Sequence, residues 1–470
     1  MDKTYNRRDF LRHSGTIGAG LALANLGSSV SARAEQNPAM KSSDGKTLKI
    51  GFVGIGARGS NLFHILLGLE GLEIRALCDI REDRVERAHR WVVDAGQPEP
   101  SGYTKGDTDF KRMCETEDLD LVITATPWQW HVPVCVAAME AGKHAATEVP
   151  AAVTLDECWQ LVEASEKYNR YCMMLENYCY FRKTMTILNM IRQGVFGELL
   201  HCEGRTQEDW IREHWHLFNS DGTIGWTGEH LATRNGNTYP THGFGPLGIW
   251  ANINRGDRLD HLVSLSSKAR ALKLYAEASF DKDHALAKRT YNQGDANITL
   301  LRSANGVSFT LYYGALSPQP WSPEHKVQGT LGVCIGDMFD YGTQDDRWIQ
   351  AKVYEKAREA QLRGRWDAYW EYTEKYDHPL WKALGPVANK YRSRDWSGAY
   401  DYLMLYQLVN ALRRNEAPPM DVYDAATWSA ISELSERSVA NKSSLQEFPD
   451  FTKGKWKTNA PTDLSQVWNV

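Results

Sequence analysis

The stretch TLKIGFVGIGARGSNLFHILLGLEGLEIRALCDI, Thr47 to Ile80, carries the reading of the fold. Leu48, Ile50, Phe52 and Val53 form a short apolar run of strand type, and Leu62, Ile65, Leu66 and Leu69 then recur at helical spacing. Between them Gly54, Gly56 and Gly59 stand as G-x-G-x-x-G. The first glycine permits a tight turn, the second lets backbone approach a pyrophosphate, and the third lets the helix pack on the strand. A helix that begins there turns its unpaired N–H groups and partial positive charge toward phosphate. A second strand, LEIRALCD, ends at Asp79, twenty residues after Gly59. A carboxylate at that point accepts hydrogen bonds from both ribose hydroxyls and repels a 2′-phosphate, which favours NAD over NADP; Arg81 close by leaves room for NADP. Strand, glycines, helix, strand and acid in this order predict a dinucleotide site on a doubly wound sheet.

Downstream, LVITATP runs into Trp128, Gln129, Trp130 and His131, and KHAATEVP ends in Glu148, Val149 and Pro150. Ligands in open parallel sheets gather beyond the carboxyl ends of the strands, so these residues are expected along the same cleft, with a nicotinamide near Glu148. Upstream, NRRDFLRHSG (Asn6 to Gly15) pairs Arg7 with Arg8 ahead of a mildly apolar run from Gly15 to Leu26 and a small-residue site at Ala32, Arg33 and Ala34. That is the pattern of a twin-arginine export leader, a route for proteins already folded around a cofactor. Gly18, Gly20 and Asn25 make the run too short and too polar to span a bilayer permanently. The expected location is periplasmic or secreted.

About 435 residues remain after the leader, more than one core organises. The division predicted is a leader at 1–34, a linker at 35–46, a Rossmann domain at 47–170, a substrate domain at 171–440 and a packing tail at 441–470. A net charge of −5 with interspersed signs gives no basic stripe for nucleic acid. No later apolar run is long enough for stable membrane insertion. Cys78, Cys135, Cys158 and Cys172 stand in apolar runs and read as buried free thiols.

Other constellations are weaker. EHWH at Glu213 to His216 imitates a metal site, but no third ligand follows at a telling spacing, so no metal is assigned. No G-x-S-x-G nucleophile appears. Adjacent Asp345 and Asp346 read as a solvated loop, and nothing picks out the pair of carboxylates that a usual glycosidase needs. VYEKAREAQLRGRWDAYWEYTEKYDHPLWKALG reads as a solvated helix with an aromatic packing face. Among the seventeen tryptophans, Trp210, Trp215, Trp226 and Trp321 are candidates for a sugar platform, whereas Trp381, Trp396 and Trp428 are expected to pack the domain.

The series GIGARG, CDI, ATPWQWH and EVP resembles the Gfo/Idh/MocA oxidoreductases, which implies a Rossmann domain followed by an α/β domain with an open, mainly antiparallel sheet. Most dehydrogenases of that family carry lysine where this chain has Val149. Further segments, MMLENYCYFRKTMTILNMIRQGVFGELLHCEG, RNGNTYPTHGFGPLGIWANINRGDRL, HPLWK and DVYDAATWSAISELSERSVANKSSLQEFPDFTKGKW, resemble glycoside hydrolase family 109. Its members are described as NAD-dependent α-N-acetylgalactosaminidases on the same fold. The resemblance puts Ala57, Arg58, Asp79, Trp128, Gln129, Trp130, His131, Glu148, Val149 and Asn177 on the family's NAD contacts. It puts Tyr239, Pro240, Thr241 and His242 on its catalytic and substrate-binding segment. Three further positions that touch substrate in the family differ here: Thr206 in GRTQ and Trp321 replace tyrosine, and Thr227 replaces arginine.

The chemistry implied is internal redox: hydride leaves C3 of the sugar, the ketone acidifies C2–H, the C1 group is eliminated, water adds, and the hydride returns. It needs a base near the C3 hydroxyl and another for the C2 proton. An imidazole is the side chain suited to proton transfer near working pH, so His242 is the first candidate, with Tyr239, Tyr178 or Tyr180 as partner. Alternation in ENYCYF would send Tyr178 and Tyr180 to one face of a strand. Two alternatives stand beside the glycosidase: a periplasmic NAD(P)-dependent sugar oxidoreductase, and a sugar-binding protein with structural NAD. The partner expected is a small carbohydrate, and fold analogy suggests a homo-oligomer.

Overall fold

The computed structural model describes residues 45–211, 217–316, 318, 321–337, 348–351, 366–368, 370–393 and 396–468. The expected leader, the EHWH segment with Trp215, and the Asp345–Asp346 pair lie outside the described residues.

Six strands form the first sheet: β1 (Leu48–Val53), β2 (Leu72–Cys78), β3 (Ser101–Tyr103), β4 (Leu121–Thr124), β5 (His144–Thr147) and β6 (Cys172–Met174). Their order is β3-β2-β1-β4-β5-β6, and every pairing is parallel. The chain runs outward in one direction from β1 through β2 to β3 and in the other from β4, so a crevice opens beyond the carboxyl ends of β1 and β4. Near-continuous burial of β1 and full burial of β4 follow from helices covering both faces. Gly54 has φ +87, and a Cβ on Gly59 would lie 1.9 Å from the Gly54 carbonyl oxygen. The helix Ala57–Leu66 can approach β1 only because both are glycine. The sequence reading ends this domain at residue 170, yet β6 follows at Cys172, because a strand of three residues leaves little periodicity to read.

Among the described residues the second sheet has nine strands: β7 (Leu199–Gln207), β8 (Leu259–Ser266), β9 (Asn297–Ser303), β10 (Ser308–Gly314), β11 (Glu324–Gly329), β12 (Gly332–Asp337), β13 (Trp348–Ala351), β14 (Asp367–Ala368) and β15 (Gln446–Glu447). The order is β14-β13-β12-β11-β7-β10-β9-β8-β15. Only β7 with β10 is parallel; the other pairings are antiparallel. This is the α/β architecture expected, an open and mainly antiparallel sheet after a Rossmann domain. β9 alternates strictly between buried and exposed residues, the mark of a sheet covered on one face. Its tail-derived edge strand β15 shows that residues after 440 also complete the sheet.

Helices Thr241–Trp250 and Val422–Ala440 lie between the layers, the latter packing on β8, on β6 and on the helix Leu155–Tyr168. THGFGPLGIW carries three glycines and Pro246, so its helix is held by burial of all ten residues and not by propensity. Where it crosses β7, a Cβ on Gly204 would stand 2.0 Å from the Gly243 carbonyl oxygen, which sets how near His242 comes to the sheet. The helix Gly398–Arg413 belongs by sequence to the second domain but packs on the helix Ala57–Leu66 and on β1.

Two local expectations are corrected. Asn177–Tyr180 is a 3-10 turn and not a strand, so Tyr178 and Tyr180 diverge. The long charged segment is not one helix: residues 352–365 lie outside the described part, and the remainder is β14, a helix Trp370–Tyr376 and a helix Pro379–Ala388. The last two are separated at Asp377 and His378, where proline at the start of the second helix breaks the first. All eight cysteines are buried and none is in a disulfide, as expected.

Candidate functional site

The cofactor half is built at the ends of β1, β2, β4 and β5. Gly56 caps the helix Ala57–Leu66, which has no acidic residue in its first turn and no side-chain cap, so its N–H groups face the crevice. A Cβ on Gly56 would meet nothing nearer than Arg84 Nη1 at 3.7 Å, leaving room for a pyrophosphate at the backbone. Asp79 accepts from the backbone N–H groups of Ile55 (2.7 Å) and Arg81 (2.9 Å). These bonds hold its carboxylate at the lip of the turn, with Arg84 3.6 Å away. The Arg81 side chain turns aside to Asp83, so the cation beside Asp79 is Arg84. These residues fit NAD.

Beyond β4, Trp128, Gln129 and Trp130 form a 3-10 turn. Trp128 is buried and stacks on Tyr239 at 5.4 Å between centroids and 15° between planes. Gln129 is exposed, and Trp130 packs on Phe110. The ring nitrogens of His131 lie 2.7 and 2.9 Å from the carbonyl oxygens of Pro150 and Thr126, joining the ends of β4 and β5; burial holds its pKa below the usual histidine value. Val149 is buried, donates its N–H to Glu148 Oε2 (3.1 Å), and precedes Pro150 through a cis peptide.

Arg58 crosses the crevice. Its Nε donates to Glu148 Oε1 at 2.7 Å, and its two Nη groups donate to the two carboxylate oxygens of Asp401 at 2.6 and 2.7 Å. Asn177 Nδ2 (2.9 Å) and the Ser397 hydroxyl (2.6 Å) also donate to Asp401. Asp401 is fully buried and is the one acid in the largely apolar helix Gly398–Arg413. Sequence reasoning missed it. The available signal was a lone acid inside a mostly apolar helix, a residue rarely buried unless paired. Burial pushes the Glu148 carboxyl above the ordinary range, opposed by Arg58.

The reactive half gathers on the turn after β6 and the start of the helix Thr241–Trp250. His242 Nδ1 lies 2.7 Å from Glu176 Oε1, and His242 Nε2 lies 3.1 Å from the Tyr239 hydroxyl. A carboxylate only accepts, so Nδ1–H donates to Glu176 and Nε2 is left to accept from Tyr239. Tyr178 lies flat on His242, 3.7 Å between centroids and 3° between planes. Burial first, then the carboxylates around them, push both phenols far above the ordinary tyrosine pKa: Glu208 and Glu176 for Tyr178, and Glu148, Glu208 and Glu176 for Tyr239. Glu176 was also missed. It is fully buried, and its second oxygen has no partner. An acid two residues past a buried strand end was the only local hint.

Tyr178, Tyr239 and His242 therefore come together, whereas Tyr180 does not. Its hydroxyl donates to Gln407 at 3.2 Å inside the core, since a turn places residues two apart on different sides. Pro240 caps the helix that carries Thr241 and His242. Thr206, Thr227 and Thr241 are buried with hydroxyls that meet no protein partner. Trp321 is half-buried and donates from Nε1 to the Tyr178 hydroxyl at 3.1 Å. Trp210 is fully buried behind Tyr239 and Trp128, supporting the site instead of lining it, and Trp226 packs on Trp128. Trp381 and Trp428 pack the domain as expected, but Trp396 does not; it is exposed beside Trp321.

Residues 48–176 match the oxidoreductase family with an NAD-binding Rossmann fold, and residues 180–458 match the glycosyl hydrolase 109 carboxy-terminal domain. A glycosyl hydrolase family 109 protein of Shewanella putrefaciens is 39% identical, with 98% of each chain covered. The chain belongs to glycosyl hydrolase family 109. Another relative, 38% identical over 98% of each chain, is the alpha-N-acetylgalactosaminidase of Shewanella oneidensis. Among solved structures, levoglucosan dehydrogenase in complex with NADH and levoglucosan has the same fold, with a TM-score of 0.61, 18% identity, and coverage of 86% of this chain and all of that one. The WlbA dehydrogenase of Bordetella pertussis gives a TM-score of 0.60 at 15% identity, over 86% of this chain and 99% of its own. This family 109 chain carries an NAD-binding Rossmann domain and is an NAD-linked enzyme of the glycosidase or sugar-oxidoreductase kind.

Proposed function

We propose that the protein is a glycosidase that uses NAD without consuming it, acting on an N-acetylgalactosaminide or a related glycoside. The observation that carries this reading is the relay Tyr239–His242–Glu176, set beyond the nucleotide cleft and stacked under Tyr178. When bound, NAD supplies a hydride acceptor that is also the donor at the end of the turnover, so water is the only co-substrate and no external oxidant or reductant is required.

The residues supply the proton movements. Tyr239 is the group within the relay that can receive a proton from a sugar hydroxyl while passing its own to His242 Nε2. A bare phenolate is too costly here, given how far burial and carboxylates raise its pKa, so transfer to His242 must accompany deprotonation. Glu176 on Nδ1 offsets the charge that then forms on the imidazole and holds its tautomer. Reversal of the same transfers restores the hydroxyl. Trp128 beneath Tyr239 and Tyr178 on His242 fix the planes of both rings. The name of the Shewanella oneidensis relative directs the first substrates to N-acetylgalactosaminides. Thr206, Thr227 and Trp321 are reasons to test other sugars as well.

The test is a screen of purified protein against α- and β-nitrophenyl glycosides without added nucleotide, in deuterated solvent, with His242→Ala as control. Release of nitrophenol together with deuterium at C2 is expected. Turnover that requires added NAD(P) and accumulates its reduced form would instead support an oxidoreductase. Binding without turnover or exchange would support a sugar-binding protein.

Export by the twin-arginine route belongs to the same reading, supported by Arg7 and Arg8 ahead of the apolar run. Changing both to lysine should retain the protein in the cytoplasm. A homo-oligomer is also part of it: Leu265, Ile298 and Leu300 are exposed on the open side of β8 and β9, where a second copy would cover them. Sedimentation velocity should show a species larger than 53.3 kDa.

A further inference from the structure

The three glycines of the helix Thr241–Trp250 face three different neighbours. A Cβ on Gly243 would lie 3.2 Å from Thr206 Oγ1, on β7 of the second sheet. One on Gly248 would lie 2.9 Å from Trp428 Nε1 and 3.2 Å from Phe244 Cε1, inside the core. One on Gly245 would lie 2.8 Å from Glu176 Cγ, 3.1 Å from Trp428 Cζ3 and 3.3 Å from Cys179 Sγ. Glycine weakens a helix, and two of the three are explained by close packing on the sheet and on an indole. The third lies against the acid of the relay.

Gly245 follows His242 by three positions, so both stand on one face of the helix, about a turn apart. Glu176 runs along that face: its Cγ passes over Gly245, and its Oε1 ends 2.7 Å from His242 Nδ1. The same Oε1 accepts from the Tyr178 N–H at 3.1 Å, whereas Oε2 meets no partner. Both hydrogen bonds of the side chain therefore fall on one oxygen and leave the carboxylate free to pivot about it. What fixes its approach is the packing of its stem. Glu176, Trp428 and Cys179 are all buried, so a stem pushed off Gly245 has no open space to enter.

We infer that Gly245 is a positioning residue of the proton relay: lacking a side chain, it gives Glu176 the passage along the helix by which its carboxylate meets His242. This rests on the reading of Tyr239, His242 and Glu176 as the proton path and deepens it. The three atoms nearest a Cβ at 245 belong to Glu176, Trp428 and Cys179, so the glycine acts through the acid.

The test compares Gly245→Ala with Gly248→Ala, which presses on the same Trp428 without meeting Glu176. On 4-nitrophenyl N-acetyl-α-galactosaminide, Gly245→Ala should lower kcat about tenfold with KM little changed, since a small misplacement of a positioned group is felt in the chemical step. Its pH–rate profile should move in the same sense as that of Glu176→Gln, and Gly248→Ala should keep both kcat and profile. A second readout needs no turnover: the far-downfield proton resonance of the His242 Nδ1–H bond to Glu176, assigned by its loss in His242→Ala. It should shift or vanish in Gly245→Ala and persist in Gly248→Ala. An unchanged rate, profile and resonance in Gly245→Ala, or the same losses in Gly248→Ala, would overturn the role of Gly245 while leaving the glycosidase intact. Should wild type fail to turn over, the resonance decides alone: its selective loss in Gly245→Ala supports the positioning although the catalytic reading has failed, and its persistence there or absence from wild type overturns it. If Gly245→Ala does not fold, Glu176→Ala with Gly245→Ala removes the nearest contact; folding restored in that pair supports the inference, and folding not restored overturns it.

Discussion

Arg58 and Asp401, separated by 343 positions, meet in a two-pronged ion pair across the mouth of the nucleotide cleft. Arg58 stands at the start of the Rossmann helix and Asp401 in a helix from the distal half of the chain, with Glu148 holding the third nitrogen. Asp401→Asn should lower unfolding stability by about 3 kcal/mol, because it leaves a largely buried guanidinium short of a partner. It should also release NAD during gel filtration. Calorimetry and nucleotide absorbance on the same sample check both, and retention of NAD at wild-type levels would count against a role for this pair in holding it.

The glycines of the first turn have separable duties. Gly59→Ala places a methyl 1.9 Å from the Gly54 carbonyl and should cost about 3 kcal/mol of stability as well as nucleotide binding. Gly56→Ala meets no protein atom nearer than 3.7 Å, so it should melt as wild type does while losing nucleotide. Thermal unfolding with and without added NAD distinguishes the two, and a Gly56→Ala protein that still gains stability from NAD would refute the assignment of the pyrophosphate to this backbone.

Glu176 acts on the reaction through His242. Glu176→Gln preserves shape and removes the charge that offsets a protonated imidazole. The expected result is a fall in kcat of about a hundredfold or more with little change in KM. The pH–rate profile should shift as well, which a merely structural defect would not produce. A variant within about threefold of wild type would remove Glu176 from the relay.

Acid stability should be set by histidines and not only by carboxylates. Burial, reinforced by nearby arginines, depresses His378 to about 3 and His230 and His144 to about 4. With folded values below the unfolded one near 6.5, the unfolded chain takes up these protons first. Their contribution is complete above pH 6.5 and is lost as pH falls through 4 toward 3. For His378, which is buried, the slope is about 1.4 kcal/mol per pH unit. Its Nδ1 accepts from the Leu380 N–H and caps the helix Pro379–Ala388. His378→Asn keeps a capping acceptor without a titrating group and should flatten the melting temperature between pH 6 and about 4. An unchanged pH profile would refute this origin.

The sequence alone determined whatever is local and periodic. The β1 strand, the three glycines, the helix after them and Asp79 lie within one short stretch, and each obeys a backbone rule that leaves a residue-type signature. The class of the second domain and the segment Tyr239–His242 came from matched motifs of the same contiguous kind. Tertiary structure decided what depends on meetings across long separations: Glu176 under His242, Asp401 on Arg58, and Trp396 beside Trp321. It also decided the helix Thr241–Trp250, whose glycines and proline argue against a helix until burial outweighs them. Tyr180 went into the core because a turn replaced the strand that alternation implied. A carboxylate or an indole carries no sequence mark of its partner. Its meaning is set by the low-dielectric surroundings and the neighbouring atoms that folding brings to it.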